Sequence, residues 1–465
     1  MIKVSTRKNQ NLAVFGLGAS GIATARALID GGAWVSAWDD DARSRDKASL
    51  QSVPMTESGT YAWSDADALV LSPGVPLTHP TPHPVVHLAH AAGCPIVGDI
   101  ELLVEARPEA TFVAVTGTNG KSTTTSLIGH VLASSGRELQ VGGNLGPPVL
   151  SLASLSRGGI YVLELSSYQL DLCDRARFDI SVLLNISPDH LDRHGDLDGY
   201  VAAKRRQFRD RLEGSQIAVV GVDDKHGQSL AAYLEGRPGW RVIQISARRR
   251  LADGISAING RLFDGASAKA IGELRSIETL PGAHNWQNAA ATYAVARVLG
   301  MEAAQIFARM ADFPGLPHRQ ELVAIINGVR YVNDSKATNG EAAARALAAG
   351  ADIINDISAF EHESGAMADV AARAGAPVIL MHRRGTSLTM QQDTQYDDLA
   401  GEVREYLAAR LQFAEQRGIS ADRVALDPGI GFGKSPRHNL ELLRRLGELR
   451  TLGRPVLVGK SRKST

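Results

Sequence analysis

Short apolar runs alternate with helical patterns along the first hundred residues of the chain. Apolar residues fill positions 12–15, and four of the five positions in 34–38 are apolar. Between these runs the spacing over 22–29 predicts a helix. Two further apolar runs occupy 68–71 and 95–97. Strands that alternate with helices favour a parallel sheet covered by helices, so we expect a Rossmann-like α/β domain here.

A second α/β unit follows a short charged segment. Residues 105–110 are charged and contain a proline, which predicts a linker. The apolar run 112–115 then precedes a glycine-rich loop and a helix from Ser122. Later apolar runs predict further strands at 161–165, 180–184 and 217–220. The predicted fold is α/β throughout, with a Rossmann-like domain at 1–107 and a central domain at 108–315.

Composition excludes several classes of protein. The 465 residues include 50 basic and 50 acidic side chains, so no net field favours nucleic acid or a membrane surface. The apolar fraction of 44% is ordinary for a globular protein, and the run 12–15 is too short to span a membrane. Two distant cysteines, Cys94 and Cys173, argue against a disulfide scaffold. We expect a soluble cytoplasmic enzyme that binds neither nucleic acid nor membrane.

The first chemical motif is a glycine loop between a predicted strand and a predicted helix. It reads Gly16-Leu17-Gly18-Ala19-Ser20-Gly21, and Asp39 ends the next strand. Glycines in this G-x-G-x-x-G pattern allow a tight turn and the close approach of a diphosphate to the helix N-terminus. The motif predicts a diphosphate site, with simple packing of helix on strand as the alternative. It does not say which diphosphate compound binds.

The second glycine loop reads Thr116-Gly117-Thr118-Asn119-Gly120-Lys121-Ser122 and also joins a strand to a helix. In a P-loop, backbone N–H groups hold phosphates, the lysine reaches the terminal phosphates and the hydroxyl coordinates magnesium. Val115 stands where the usual first glycine would be, so this loop is a variant. The pattern predicts an ATP site that uses Mg²⁺.

Further polar motifs follow later apolar runs. Glu164 opens the segment 164–170 at the end of a strand, His190 lies in 185–192, and Lys204 comes one helix later. Taken singly, such residues have ordinary structural interpretations: a strand-end glutamate is a cap or an ion pair, and this lysine belongs to a solvated helix face. Other polar segments follow in order, at 284–288, 316–319 and 333–339.

In order and spacing these motifs resemble the Mur ligases over about residues 8–339, and the variant ATP loop also resembles that of the folylpolyglutamate synthetases. The resemblance is strongest to the member that adds D-glutamate to UDP-N-acetylmuramoyl-L-alanine in peptidoglycan precursor synthesis. It implies an ATP-dependent amide ligase, with ATP and Mg²⁺ as cofactors, in which ATP phosphorylates the substrate carboxylate and the amine attacks the acyl phosphate. Both steps develop charge on oxygen atoms, which oriented donors and cations stabilise.

The resemblance also implies roles for individual residues. The catalytic set would be Lys121, Glu164, His190 and Lys204. The metal ligands would be Ser122, Glu164, His190 and Lys204, the last as a carbamate formed with carbon dioxide. ATP would contact Gly117, Thr118, Asn119, Gly120, Lys121, Ser122, Thr123, Asn285, Asn288, Arg319, Asp334 and Lys336. The UDP-sugar would contact Gly18, Ala19, Ser20, Asp39, Ser72, Pro73, Gly74 and Asn144.

The motifs change after about residue 339. Residues 316–339 resemble the start of a Mur ligase third domain, whereas 340–465 resembles part of dihydropteroate synthase, a (β/α)₈ barrel of folate synthesis. In that family Asn355, Asp427 and Lys463 would line a pterin pocket at the carboxyl ends of barrel strands. About four of eight strands are present, so we expect open strand edges and an apolar face.

Three functions follow as alternatives. The first is the amide ligase, whose contacts to D-glutamate would largely come from the third domain that changes here. The second is the pterin transferase, which half a barrel disfavours, so we expect no dihydropteroate formation. The third is a chimera that binds ATP and the UDP-sugar without forming an amide. A nicotinamide dehydrogenase would leave the second glycine loop unexplained. We expect a monomer, with self-association through the incomplete barrel.

Overall fold

The chain divides into two units, Met1–Gly315 and Leu316–Thr465. The computed structural model describes residues 1–212, 214–265, 269–334, 340–348, 350–361, 365–385, 390 and 394–459. Within these residues no helix is both long enough and apolar enough to cross a membrane.

The first sheet is parallel, with strand order β2-β1-β3-β4. Its strands are β1 (Asn11–Phe15), β2 (Trp34–Trp38), β3 (Ala68–Leu71) and β4 (Ile96–Val97). The helices are α1 (Ala19–Asp30), α2 (Ala42–Ser49), α3 (Pro84–Ala91) and α4 (Asp99–Ala106). All four residues of β3 are buried, as expected for a strand covered on both faces. The predicted Rossmann-like arrangement is confirmed.

The second sheet has nine strands in the described residues, in the order β13-β12-β11-β10-β9-β8-β5-β7-β6. The strands are β5 (Thr111–Thr116), β6 (Leu139–Gly143), β7 (Ile160–Glu164), β8 (Ile180–Leu183), β9 (Gln216–Gly221), β10 (Trp240–Ser246), β11 (Gly254–Ile258), β12 (Arg261–Asp264) and β13 (Gly272–Glu273). The helices are α5 (Lys121–Leu132), α6 (Ser167–Asp171), α7 (Leu191–His194), α8 (Leu197–Arg205), α9 (Lys225–Glu235), α10 (Gly282–Val298) and α11 (Ala303–Ala311). Strand β5 lies between β7 and β8, and all three run parallel, so the residues that follow them meet at one edge of the sheet.

The junction between these two sheets is packed and is not the free linker that residues 105–110 predicted. Helix α4 continues to Ala106, and one core cluster contains Leu103 of this helix together with Leu150 and Phe178 of the next domain. The buried carboxylate of Glu101 accepts hydrogen bonds from three successive backbone N–H groups, at residues 174, 175 and 176. The boundary at residue 107 remains a prediction.

The second unit contains a hairpin and a small parallel sheet. The hairpin strands are β14 (Glu321–Ile326) and β15 (Val329–Asn333), and the sheet strands are β16 (Ile354–Asp356), β17 (Val378–Met381) and β18 (Val424–Asp427). Its helices are α12 (Gly340–Ala348), α13 (Ala366–Ala374), α14 (Leu399–Gln416) and α15 (Pro436–Arg445). Sequence patterns predicted about four strands, and the fourth is present as a parallel bridge from Leu426 to Val456.

Candidate active site

The phosphate loop lies between β5, an interior strand of its sheet, and helix α5. Gly120 has φ = 87° and Gly117 has φ = 155°, values that side chains rarely adopt. A Cβ atom on Gly120 would lie 2.4 Å from Oδ1 of Asn288, so only glycine fits against this helix. Asn185, which follows β8, accepts a hydrogen bond from the backbone N–H of Asn119 at 2.9 Å and so fixes the loop from the opposite side.

Two lysines share one carbonyl oxygen in this loop. Nζ of Lys121 donates to the carbonyl oxygens of Gly117 and Thr118, at 2.9 and 2.8 Å. Nζ of Lys204 donates to the same Gly117 oxygen at 2.9 Å. Two ammonium groups this close to one acceptor repel each other. A polyanion such as the phosphate chain of ATP would relieve that repulsion.

Lys204 is a buried residue, which excludes the alternative interpretation of it as part of a solvated helix face. The residue is only 1% exposed, and Nζ lies 4.6 Å from the centre of the Tyr200 ring. Burial, followed by the charge of Lys121, holds the pKa of Lys204 well below its usual value. A larger share of this side chain is therefore a neutral amine near neutral pH, and a neutral amine is the form that reacts with carbon dioxide.

Glu164 ends β7 at the same edge of the sheet. The residue is 1% exposed, and its Oε1 accepts a hydrogen bond from Asn144 at 2.6 Å. Its Oε2 is buried without a hydrogen-bond partner, which is costly for a carboxylate that nothing else compensates. A divalent cation would compensate it, so Glu164 fits Mg²⁺, as does the buried Ser122 beside the loop.

The predicted metal set is only partly assembled. His190 adopts φ = 52° in the loop before α7, and its Nδ1 lies 3.2 Å from the Tyr168 hydroxyl. Burial lowers the pKa of His190, with Asp189 acting in the opposite direction, so the ring tends to be neutral. The unmodified ammonium of Lys204 cannot ligate a cation. Within the described part of the chain, no group of three or more histidine, cysteine or acidic side chains is arranged to hold a metal.

Asn285 and Asn288 lie one turn apart on α10, which packs against α5. Both are buried, and the Asn288 amide donates to Oδ1 of Asn285 at 3.1 Å. Asn288 therefore stands directly behind the phosphate loop, where the close approach to Gly120 places it. The structure thus brings the predicted nucleotide residues of the first unit together.

The first glycine loop has the geometry of a ligand-binding turn. A Cβ on Gly21 would lie 1.8 Å from the Gly16 carbonyl oxygen, so glycine is required for packing there. A Cβ on Gly18 would meet nothing within 4 Å, so this position faces open space. The Ser72 hydroxyl donates to the Gly16 carbonyl at 2.6 Å, which joins the loop after β3 to this turn.

Two acids support this loop. Asp39 accepts hydrogen bonds from the backbone N–H groups of Leu17 and Asp41, one on each carboxylate oxygen. Asp99 is fully buried, accepts from the Ser20 hydroxyl, and has a pKa raised by burial. Asp39 therefore supports the backbone of this loop, and its contact with the UDP-sugar stays a prediction.

The two glycines of this loop give a matched pair of variants. We expect Gly21→Ala to lower the free energy of unfolding of the first unit by about 1–3 kcal/mol, because the methyl group overlaps a backbone oxygen. Gly18→Ala should leave the midpoint of thermal unfolding within a degree or so of the parent, because its methyl group meets open space. Equal unfolding midpoints for the two variants would contradict the loop geometry.

The remaining predicted nucleotide residues belong to the second unit. Asp334 accepts a hydrogen bond from the Gln320 backbone N–H at 3.2 Å, and burial raises its pKa while Arg319 lowers it. Arg319 and Asp334 therefore lie together at the base of the hairpin. Lys336 lies outside the described residues.

The alternative pterin residues are only partly described. Asp427 ends β18, is buried, and has a pKa raised by burial, whereas Asn355 of β16 is exposed. Lys463 lies outside the described residues. Sequence reasoning gave no role to Lys434, whose Nζ donates to Nδ1 of His382 at 2.7 Å. Burial lowers the pKa of Lys434 to about 7 and that of His382 to about 3.

Sequence reasoning also missed three supporting residues of the first unit. The Tyr200 hydroxyl lies 3.2 Å from that of Thr118, and its ring faces the ammonium of Lys204. Arg193 donates to the carbonyl oxygens of Pro73 and His79, at 3.1 and 3.2 Å, and so fixes the loop after β3 to the loop that carries the histidine. Asn185 was visible as a polar residue after a strand, whereas the other two gave no signal in the sequence.

A largely parallel sheet with a phosphate loop after one of its interior strands is typical of a nucleotide-binding α/β protein, and comparison with known families specifies it further. The model of the Mur ligase MurD-like N-terminal domain matches residues 10–98, and that of the Mur ligase middle domain matches 115–296. The UDP-N-acetylmuramoylalanine–D-glutamate ligase of Phenylobacterium zucineum is 48% identical over 75% of this chain and 76% of its own length. The corresponding ligase of Rhodospirillum rubrum is 51% identical over 73% of this chain and 72% of its own length. The chain belongs to the Mur ligase family.

The second unit matches another family. The model of pterin binding enzymes matches residues 320–465 and so begins ahead of the predicted change at 340. The dihydropteroate synthase of Yersinia pestis, solved with a sulfonamide drug, is 38% identical over 27% of this chain, with a TM-score of 0.26. The matched part spans 46% of that solved chain. The resemblance to two families is confirmed.

Proposed function

We propose that the chain is an ATP-dependent ligase that joins D-glutamate to UDP-N-acetylmuramoyl-L-alanine. One observation carries the proposal: two lysine ammonium groups meet on the Gly117 carbonyl, and a carboxylate oxygen of Glu164 is buried nearby without a partner. This is a site prepared for a phosphate chain and a cation. The curated relatives from Phenylobacterium and Rhodospirillum support the choice of substrates.

The residues of this site suit the first chemical step, transfer of the terminal phosphoryl group to the substrate carboxylate. Lys121 would leave the loop carbonyls and bind the terminal phosphates, while the loop N–H groups hold the rest of the chain. Ser122 and Glu164 would hold Mg²⁺, which when bound neutralises charge on the phosphate oxygens. The acyl phosphate formed in this way releases phosphate when the amine of D-glutamate attacks its carbonyl carbon.

Lys204 would act as a carbamate. Its neutral amine nitrogen would attack carbon dioxide, one proton would leave, and an anionic carbamate would replace the amine. That anion would remove the repulsion between the two lysines and provide the cation ligand that the unmodified side chain lacks. The Tyr200 ring would then lie against the carbamate and limit the access of water to it.

A phosphate-release assay tests the function directly. Purified chain receives ATP, Mg²⁺ and UDP-N-acetylmuramoyl-L-alanine, with and without D-glutamate, and the product is identified by mass spectrometry. We expect phosphate release that depends on both substrates and a product larger by one glutamate residue. Saturable binding of ATP and the UDP-sugar with no product would instead assign the chain to the non-catalytic alternative.

The diphosphate compound of the first domain is a separate prediction. We expect the full chain to bind UDP-N-acetylmuramoyl-L-alanine and not NAD, because the curated relatives that it resembles are named for that UDP-linked substrate. Isothermal titration with each compound measures this difference. Ser72→Ala, which removes the hydroxyl that holds the glycine turn, should weaken binding of the UDP-sugar by about tenfold. Saturable NAD binding without a response to the UDP-sugar would reverse the assignment.

A further inference from the structure

Among the described residues, the parallel sheet of the second unit is open at both edges. Its described order is β16-β17-β18, and residues 455–457 extend it as a fourth parallel strand. Leu426 donates to the carbonyl of Pro455, and Leu457 donates to the carbonyl of Leu426, both at 2.9 Å. In the described part of the chain, no further strand pairs with the outer edge of β16 or with that of 455–457.

The two faces of this sheet differ. Ile354, Leu380 and Leu426 point to the face that the helices bury. On the other face, the strand register places Asn355, Ile379 and Ala425 in one row. Two residues further along each strand, Ile357, Met381, Asp427 and Leu457 form the next row on this face. These rows have the form of the side-chain layers that fill a closed barrel.

The apolar residues left exposed on this sheet lie at its two edges. Ile353 and Ile357 flank β16 and are 57% and 41% exposed, and Leu457 and Val458 on the opposite edge are 41% and 40% exposed. Two open edges that both carry apolar side chains need pairing with other strands. All four strands run parallel. A twofold rotation about an axis parallel to them therefore places the β16 edge of one copy beside the 455–457 edge of the other, and the reverse.

We propose that two copies of this chain close one eight-stranded barrel, in which the β16 edge of each copy pairs with the 455–457 edge of the other. Four strands from each copy give the strand number at which side chains alone fill the interior. The two contacts are identical by symmetry, so the assembly ends at a dimer.

The shear of such a barrel fixes which residues meet. A (β/α)₈ barrel has a shear of about eight residues, so a symmetric half contributes about four. The row that contains Ile357 crosses the sheet to Leu457. Because of the shear, this row meets the next strand, β16 of the second copy, about four residues nearer the amino end of that strand. Leu457 therefore lies opposite Ile353 of the second copy. Both side chains are apolar, exposed and on the interior face.

The space beside β16 fits the same arrangement. An open groove of about 880 Å³ lies between α12 and α13 at the start of this edge, and Leu347, Ile353 and Val370 are among the residues that line it. In a (β/α) barrel, each helix packs against both the strand that precedes it and the strand that follows it. With Leu457 opposite Ile353, Val458 of the second copy points to the helix side and would fill part of this groove.

A charge-exchange experiment on the full chain tests the pairing. Sedimentation velocity should show a dimer at micromolar concentration, and Ile353→Lys and Leu457→Asp should each weaken it by about tenfold or more, because a charge enters an apolar contact. An equimolar mixture of the two variants should regain a dimer. In that heterodimer one edge pairs lysine with aspartate, and the other edge keeps its natural isoleucine and leucine.

Control variants distinguish this contact from nonspecific association through other exposed apolar residues. Leu440→Lys, at a residue 59% exposed on α15, should remain dimeric, and so should Ile325→Lys, at a residue 60% exposed on the hairpin. Thermal unfolding checks that each variant is folded. If Ile353→Lys does not fold, Ile353→Asn is used in its place. A monomeric parent, a dimer that Ile353→Lys leaves unchanged, or a mixture that stays monomeric would each overturn the proposal.

Discussion

Lys121→Ala is expected to reduce phosphate release by 100-fold or more, which corresponds to about 2.7 kcal/mol. The lysine opens helix α5, and its ammonium group already lies on the loop carbonyls that border the phosphate site. Alanine removes the charge that would face the terminal phosphates, while the backbone N–H groups remain. Isothermal titration measures the effect of the substitution on ATP affinity, and a coupled assay of phosphate release measures its effect on turnover.

Lys225→Ala is the matched control for that experiment. Lys225 is likewise the first residue of a helix, α9, which follows strand β9 of the same sheet, but it is exposed. We expect Lys225→Ala to retain the parent activity within about twofold. Unchanged ATP affinity and unchanged phosphate release in Lys121→Ala would remove the basis for the ATP site.

Lys204→Met is expected to reduce turnover by about 1000-fold, or about 4 kcal/mol, while ATP binding changes by only a few fold. Methionine has a similar volume and cannot form a carbamate. The variant should also unfold at the same or a higher temperature. The pKa of Lys204 is lower in the folded protein than in the unfolded chain. At neutral pH, which lies below the usual pKa of lysine, the unfolded state therefore binds a proton more readily than the folded state does.

The carbamate has its own signature. Protein incubated with ¹³C-labelled bicarbonate should show a carbonyl signal by NMR that is absent in Lys204→Met. Because only the neutral amine reacts, both the signal and the turnover should decrease as the pH falls through the lowered pKa. A parent protein that is fully active without carbon dioxide, and that gives no labelled signal, would contradict the modification.

The strands and glycine loops of the first unit were predictable because each depends on local pattern. Buried parallel strands are short apolar runs, and β1, β3 and β5 are found where those runs occur. The two glycine loops were equally clear, since a residue such as Gly120 is required by backbone geometry and by one close neighbour. Sequence alone therefore located the candidate site.

The environment of individual side chains was less predictable, because it depends on contacts between distant elements. Lys204 stands among charged residues in the sequence, yet it is buried because α8 turns it toward Gly117 and Tyr200. Asp39 lies where a ligand-binding acid was expected, and the sequence did not show that its carboxylate also accepts hydrogen bonds from two backbone N–H groups. The residues 105–110 looked like a linker because their composition does not show that α4 shares a core with the next domain.

The carboxylate of Glu101, bonded to three successive N–H groups of the neighbouring domain, has a consequence for how the first unit melts. Separating the two sheets would break these three hydrogen bonds and would expose to water the apolar core that includes Leu103 and Phe178. Calorimetry of the full chain should therefore record Met1–Gly315 as one cooperative transition. Its first hundred residues, cut free, should aggregate, so ligand titrations of that domain require the whole chain.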